Sequence, residues 1–532
     1  MSSNFFDHLP VELIYKIFDY LWAHEIFDAF FNVSEYLRAV LKSYDRFLIN
    51  FQSVRKTQFD LTCRLIRPDQ VVLLSLSDKN NTLDQCILFF SYFSIEQFVN
   101  LRSFEIDSFN EGTFERLRSL LQLKYLSSLH LPSRLWHSGA LKTFIRSIVP
   151  RLRRLVTDDC FFEHSLDHLQ HLILTRCHCT EIKHLFKNIR HIRSLKITLV
   201  DYGNPPWPTN VEILSELRQF SLRVDNGAMG ITEIKNILHA MPCVKYLELD
   251  ILCEIGLVDG HQWESIAINL IRFDFRFRVV RWSACDITKT NHLNSFRTPF
   301  WLEQKRWFVA HDNCKPLTIF TIPRFMPKDL EWPSNNTIED CTTDIFKPNN
   351  YVEHLNLFPT KQSTQVENNF DLQPLIKDKP RLYSLNICNP LSFNILHDKV
   401  VYEQIRTLRF SFEQDQSSSS SSFNPEQICA AFPRLECLNI SVESLQALCV
   451  FIDRLKYLSD AYFRFNFSIM KWCCWQRQRM TRQWFIRNSR RLSHDRYFTS
   501  AITDHSVRLW MSDKKESSSS SIFKRIIKWS NK

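Results

Sequence analysis

At 532 residues, with 44% hydrophobic and 13% aromatic residues, the chain is too long for one ordinary core and too apolar to be disordered over most of its length. Only seven Gly occur, and no GxGxxG or GxxxxGK[ST], so nucleotide binding by those loops has no support. The net charge of +10 is uneven: residues 471–532 carry 15 Lys+Arg against 4 Asp+Glu, which leaves the rest of the chain at −1.

The opening MSSNFFDHLP lacks a basic flank and an apolar core, so it does not read as a secretory signal. No apolar run reaches about 18 residues, the length a spanning helix needs. Sixteen Cys without such a signal are expected to be reduced thiols of an intracellular protein, cytoplasmic or nuclear.

Leu9, Leu13, Ile17 and Leu21 recur every four residues, with Ile14 and Phe18 beside them, which predicts a helix of about three turns with an apolar stripe. Pro10 suits its first position, where a missing N–H costs nothing. A second short helix carries Ile26, Phe27, Phe30 and Phe31. A third starts at Ser34, an N-cap residue type, and carries Leu37, Val40, Leu41 and Leu48. Three short helices cannot cover this much Leu, Ile and Phe alone, so a partner surface is expected.

Residues 5–49 resemble the F-box family. The family pattern Leu-Pro-x-Glu-Leu, Ile-Phe-x-Tyr-Leu and a short acidic-apolar turn stands here as Leu9, Pro10, Glu12, Leu13, then Ile17, Phe18, Tyr20, Leu21, then Glu25 and Ile26. The third helix differs: the family's Val-Cys-Lys-Arg-Trp is replaced by Asn32-Val33-Ser34-Glu35-Tyr36-Leu37. The resemblance implies a module over residues 1–50 that docks on the Skp adaptor of a cullin–RING ubiquitin ligase. It implies a docking face of Leu9, Pro10, Leu13, Ile17, Phe18, Leu21 and Ile26. The alternative is an ordinary amphipathic helical unit packed against the rest of the chain.

After a helical connector over 51–70, the pattern L-x-x-L-x-L, with other large apolar residues allowed, returns through residues 71–470. It stands at Val71/Leu74/Leu76, Leu101/Phe104/Ile106, Leu126/Leu129/Leu131, Leu169/Leu172/Leu174, Ile192/Leu195/Ile197, Leu217/Phe220/Leu222, Val244/Leu247/Leu249 and Leu270/Phe273/Phe275. It resumes at Val352/Leu355/Leu357, Leu382/Leu385/Ile387, Ile405/Leu408/Phe410 and Leu435/Leu438/Ile440, and Leu152/Leu155 opens a further copy with Thr157 third. From Leu101 to Leu270 the starts are 25, 26, 17, 23, 25, 27 and 26 residues apart, mostly a leucine-rich-repeat spacing. Segments 141–150, 231–242 and 426–433 have helical spacing and end in Pro before the next strand. The expected fold is therefore α/β: a three-helix F-box-like module followed by a curved leucine-rich-repeat solenoid with a parallel strand ladder. An irregular insert over 279–345 contains two Trp- and Phe-rich runs that could form a hairpin turning at Asp312-Asn313, and Leu317/Phe320/Ile322 offers another repeat strand. Serine tracts at 417–422 and 517–521 read as a loop and a linker.

No HExxH, GxSxG or CxxC is present, so neither catalysis nor a cofactor is expected. Cys177, Cys179, His168, His171, His178 and His184 cluster in sequence, but Cys177 falls three residues after Leu174, where these repeats place Asn or Cys to bond the turn; Cys160 stands likewise after Thr157. No metal is predicted. The basic segment 471–532 interleaves Arg482, Arg487, Arg490 and Arg491 with Trp475 and Trp484. It reads first as a terminal cap, then as a site for an acidic partner, and last as a nucleic-acid binder. The alternation of strand residues assigns the open face to Ser103, Glu105, Ser128, His130, Ser194, Lys196, Gln219, Ser221, Arg223, Tyr246, Glu248, Asp250, Arg409 and Asn439, which would select an unknown protein substrate.

Overall fold

A computed structural model describes residues 5–511 except 79–81, 83, 108–115, 132–138, 159–164, 201–210, 280–293, 313–317, 326–328, 333–337, 341–352, 358–375, 377–378, 389–399, 412–423, 443, 466–480, 493–497 and 504–505. The fold is mixed α/β, with long runs of parallel strands. Two compact units divide the chain: residues 1–125, 328–333 and 352–532 form the first, and residues 126–327 and 334–351 the second.

The first unit opens with α1 (Val11–Phe18), α2 (Ala23–Phe30) and α3 (Glu35–Ser43). Pro10 lies one position earlier than predicted, as the N-cap of α1. Glu25 accepts from the Trp22 N–H at 3.0 Å and so fixes the start of α2. The predicted Ser34 cap is present, its hydroxyl accepting from the Leu37 N–H at 3.1 Å. Leu48, assigned to the third helix by periodicity, instead belongs to β1 (Phe47–Asn50). Pairing decides this: β1 lies parallel to β2 (Val71–Leu76), which in turn pairs with β3 (Ser103–Ile106). The helix α4 (Lys56–Leu65) fills the connector, and α5 (Gln85–Tyr92) follows β2.

In chain order the second unit supplies β4 (Ser128–His130), β5 (Arg154–Thr157), β6 (His171–Cys177), β7 (Ser194–Leu199), β8 (Gln219–Val224), β9 (Tyr246–Cys253) and β10 (Arg272–Val279). All pair parallel with their neighbours, and the repeat residues stack in register: Leu129, Leu155, Leu172, Leu195, Phe220, Leu247 and Phe273 are successive partners. All seven are buried, each contributing roughly 1.5–3 kcal/mol of transfer free energy. The returns include α6 (Gly139–Ile148), α7 (Ile182–Asn188), α8 (Ile231–His239) and α9 (Gly260–Ala267). Along β10 the burial alternates strictly, with Phe273, Phe275, Phe277 and Val279 inward and three Arg and one Asp outward. A parallel sheet covered on both faces would read as a continuous apolar run; alternation means one face is left open.

The ladder ends at an antiparallel hairpin of β11 (Phe308–Asp312) and β12 (Thr318–Ile322), with β12 beside β10. The predicted hairpin is thus present, and Phe320 and Ile322 are corrected from a further parallel repeat strand to this antiparallel one. Thr321 explains part of the join: its hydroxyl accepts from the buried Phe275 N–H at 2.9 Å. Trp263, Phe277 and Phe275 stack behind it, and Trp301 donates to the Gly260 carbonyl at 3.3 Å. Gly260 also lets the Ser295–Phe296 backbone come close, because a Cβ there would lie 2.3 Å from the Ser295 carbonyl oxygen.

The chain then returns to the first unit through β13 (Asp329–Trp332), while β14 (Ile338–Asp340) pairs with β11 in the second. The first unit continues with β15 (His354–Leu357), β16 (Ser384–Cys388), β17 (Thr407–Ser411), β18 (Cys437–Val442) and β19 (Asp460–Phe465), parallel from β13 to β19. Helices α10 (Pro425–Ala431) and α11 (Leu445–Arg454) are returns. An antiparallel hairpin, β20 (Phe498–Ile502) and β21 (Ser506–Met511), closes this sheet against β19. Both strands, with α12 (Arg482–Asn488), fall in the predicted basic cap, and Phe485, Leu492, Phe498, Val507 and Leu509 belong to the same core as the repeats. Trp510 is buried against the chain's early part: its indole donates to the Val54 carbonyl at 3.2 Å, and its ring lies 5.5 Å from that of Phe59.

Candidate interaction surfaces

Among the described residues, two open surfaces carry the predicted site residues. The first is on α1. Ile14 and Phe18 point inward, where Phe18 meets Phe30 and Tyr44 edge-on at 5.3 Å from each. One helical step round, Leu13 is 45% exposed, Pro10 is exposed, and Leu9, Ile17 and Leu21 are half-buried. Tyr20, just past the helix, is 89% exposed. Phe18 and Ile26, predicted to line the docking face, are both at 0% exposure and are removed from it. Both hold the three helices together: Phe18 on the inward side of α1, and Ile26 on the buried side of α2.

Polar contacts set the frame of this stripe. Tyr36 of α3 donates to the Leu9 carbonyl at 2.8 Å, pinning the Leu-Pro entry to α1. Tyr44 donates to Asp19 at 2.7 Å and pins the exit; burial and that bond push its phenol pKa up. Burial also lowers the pKa of His24 on α2, although Glu25 and Asp28 oppose it.

The second surface is the open side of the second unit's ladder. Ser194, Lys196, Ser221 and Glu248 are half-buried, and Gln219, Arg223 and Tyr246 exposed. Register brings them together in two rows: Lys196, Ser221, Glu248 and Asp274 are successive partners, as are Thr198, Arg223, Asp250 and Arg276. Ser128 and His130 lie on β4, half-buried. In the first unit, Ser103 and Glu105 lie on β3, and Arg409 pairs in register with Asn439. Asp250 is corrected: it is 6% exposed, covered by Arg276, whose Nε donates to it at 2.9 Å, and by Arg278 at 3.4 Å.

Glu248 is likewise held by two cations. Arg324 reaches it at 2.8 Å and Lys196 at 3.7 Å, and the Ser221 hydroxyl donates at 3.1 Å. Arg272 pairs with Asp274 at 2.6 Å, and Arg223 with Asp225 at 2.7 Å. Burial pushes the Asp274 carboxyl up, against the pull of Arg272. A recess of about 400 Å³ opens here. Arg272, Asp274, Arg276, Arg278 and Arg324 were missing from the predicted surface. The alternation of RFDFRFRV carried the signal for the first four, whereas Arg324 arrives only through the hairpin.

Cys177 ends β6, buried, opposite Leu199; Cys160 lies outside the described residues. Among the described residues no His, Cys, Asp and Glu group has a metal-holding arrangement, and no helix is long and apolar enough to cross a membrane. In the basic segment, Arg491 donates to the Leu455 and Leu458 carbonyls at 2.6 Å each, and Arg482 to the Phe498 carbonyl at 2.7 Å. These cations serve the fold. Trp475 and residues 512–532 lie outside the described residues.

No family model matches the chain, and no curated protein matches it. Among solved structures it is similar to one described as the TLR13–ssRNA13 complex, at 15% identity and a TM-score of 0.20. That alignment covers 79% of this chain and 54% of the other, so the chain spans about half of that neighbour's length.

Proposed function

We propose that the chain is a non-catalytic adaptor: an F-box-like module that recruits a Skp-type adaptor, and through it a cullin–RING ligase, joined to a leucine-rich-repeat solenoid that holds the protein to be ubiquitinated. The observation that carries the reading is the open stripe on α1. Pro10, Leu13, Ile17 and Leu21 stay at least partly in contact with water, although Ile14 and Phe18 beside them are fully covered. A partner's apolar groove would complete this side, as an amphipathic helix is completed when it docks. The ladder supports the second half of the reading, because stacked strand-and-return units offer one long open face to a partner. Neither half performs chemistry. The contribution is proximity, raising the substrate's concentration near a transferring enzyme carried by the ligase.

Co-purification with a Skp-type adaptor tests this. The parent chain is expected to recover the adaptor, and Leu13→Asp with Ile17→Asp to lose it while keeping the parent's circular dichroism. Equal recovery by both would sink ligase recruitment and leave a protein-interaction scaffold.

A further inference from the structure

The predicted open face names no ligand; its ion pairs do. On β9, Glu248 and Asp250 are two residues apart, and each is shared by two cations: Lys196 and Arg324 on Glu248, Arg276 and Arg278 on Asp250. Among the described residues, Arg272–Asp274 and Arg223–Asp225 are further pairs on this face. Among the described residues these ion pairs hold six cations against four carboxylates, and the surplus sits on the two β9 clusters. Lys196 and Arg324 keep 45% and 48% of their side chains exposed, and Arg276 keeps 35%. Their remaining N–H groups point to solvent or to a ligand, since one carboxylate cannot accept from all of them.

We infer that this face binds an extended acidic peptide with carboxylates at alternate positions, Asp/Glu-x-Asp/Glu. The spacing follows from the strand. Residues i and i+2 of β9 lie about 7 Å apart on one face, and an extended peptide presents its own i and i+2 side chains at the same interval. One ligand carboxylate meets the Lys196–Arg324 cluster while the next meets Arg276, behind which Arg278 is held by Asp250 and the Val224 carbonyl. Tyr246, exposed on β9 one step before Glu248 on the same face, gives the peptide's flank an aromatic surface. Glu248 and Asp250 hold the cations in place before the ligand arrives, which reduces the ordering penalty on binding. Two separate cationic clusters match two separate carboxylates, whereas a phosphate backbone is best met by a continuous run of cations. The inference rests on the reading that the ladder's open face selects a protein, and not on recruitment by α1.

Fluorescence anisotropy with the full chain tests it, using three labelled decapeptides with Gly-Ser flanks around Glu-Ser-Glu, Glu-Glu-Ser or Gln-Ser-Gln. Glu-Ser-Glu is expected to bind about tenfold tighter than Gln-Ser-Gln and about threefold tighter than Glu-Glu-Ser, the affinity weakening with salt. Lys196→Gln and Arg324→Gln, both at exposed side chains, are each expected to weaken it at least about threefold. Equal binding of the three peptides, or of parent and variants, overturns the inference. So does tighter binding of a labelled oligothymidylate, which would give the face to nucleic acid. The peptide comparison needs no variant, so a folding defect cannot mask the result. Adaptor recovery with no peptide discrimination sinks this inference alone; peptide discrimination without adaptor recovery sinks the ligase reading alone.

Discussion

The two units stop a run of parallel strands by the same device and load it differently. In each, an antiparallel hairpin lies along the last parallel strand and replaces an edge that would otherwise offer unpaired N–H and C=O groups. The β11–β12 hairpin is braced from nearby in sequence, by Thr321 on Phe275. The β20–β21 hairpin is braced across the whole unit. Trp510 bonds Val54 and packs on Phe59, Lys56 lies 5.9 Å from the Trp510 ring, and Arg55 reaches Glu436 at 2.6 Å. A local cap stabilises its own neighbourhood, whereas a cap that reaches back to α4 makes the early helices and the last strands one cooperative body.

The sharpest way to break that contrast is Trp510→Ala. It leaves a large cavity and an unpaired Val54 carbonyl, so unfolding free energy is expected to fall by about 3–5 kcal/mol. Amide exchange in α4, 445 residues or more from the substitution, should accelerate with it; unchanged exchange there would show the early segment to be independent. Next is Asp60→Asn. Asp60 holds the 5%-exposed Lys56 at 2.8 Å. Losing it strands a buried cation, for about 3 kcal/mol by urea denaturation, at the low end for buried pairs because Asp60 is partly exposed. Thr321→Val deprives the Phe275 N–H of its acceptor and is expected to cost about 2 kcal/mol, with faster exchange confined to β10 and β12. Leu13→Asp, on the open stripe, should change stability by less than about 0.5 kcal/mol.

A pH comparison refines the far end of the first unit. Asp460 on β19 is pushed up to about 6 by burial, with Arg508 and Arg409 opposing, and it faces Cys437 in register. Its folded pKa lies above the unfolded one, so the fold prefers the protonated form. The stability this contributes is full below about pH 4 and is lost as the pH rises through about 6. Urea midpoints of Asp460→Asn relative to the parent should therefore shift in the variant's favour between pH 4 and 7; a constant difference would contradict the assignment.

Much of the ladder was legible because its signal is repeated. Every L-x-x-L-x-L copy whose residues are described places its central residue on a strand and buries the residues of the pattern, and the one with Thr157 third keeps Thr157 buried. Strands that broke the pattern were missed. In β19, Ala461 takes the central place, stacked on Leu438 and too small to register as a repeat residue. In β1, four residues following a helix become a strand only because β2 lies alongside. The open face was legible by alternation as far as which residues share it, but not in how they pair. Asp250 is buried because two arginines of the next strand fold over it, a fact of packing that spacing does not contain. On α1 the periodicity showed one apolar stripe with Ile14 and Phe18 beside it, and only the placement of Phe30 and Tyr44 decides that Phe18 faces in while Leu13 stays exposed.

The Trp510–Val54 bond joins positions 456 residues apart, and this bears on how the protein is made. At roughly 5–20 residues per second a ribosome needs about 20–90 s to deliver Trp510 after Val54 has emerged. Throughout that interval the Phe59 side of α4 is bare of the indole that finally covers it. Newly made chains therefore present a long-lived apolar surface to chaperones, and degradation of stalled products should rise steeply when translation stops before residue 510.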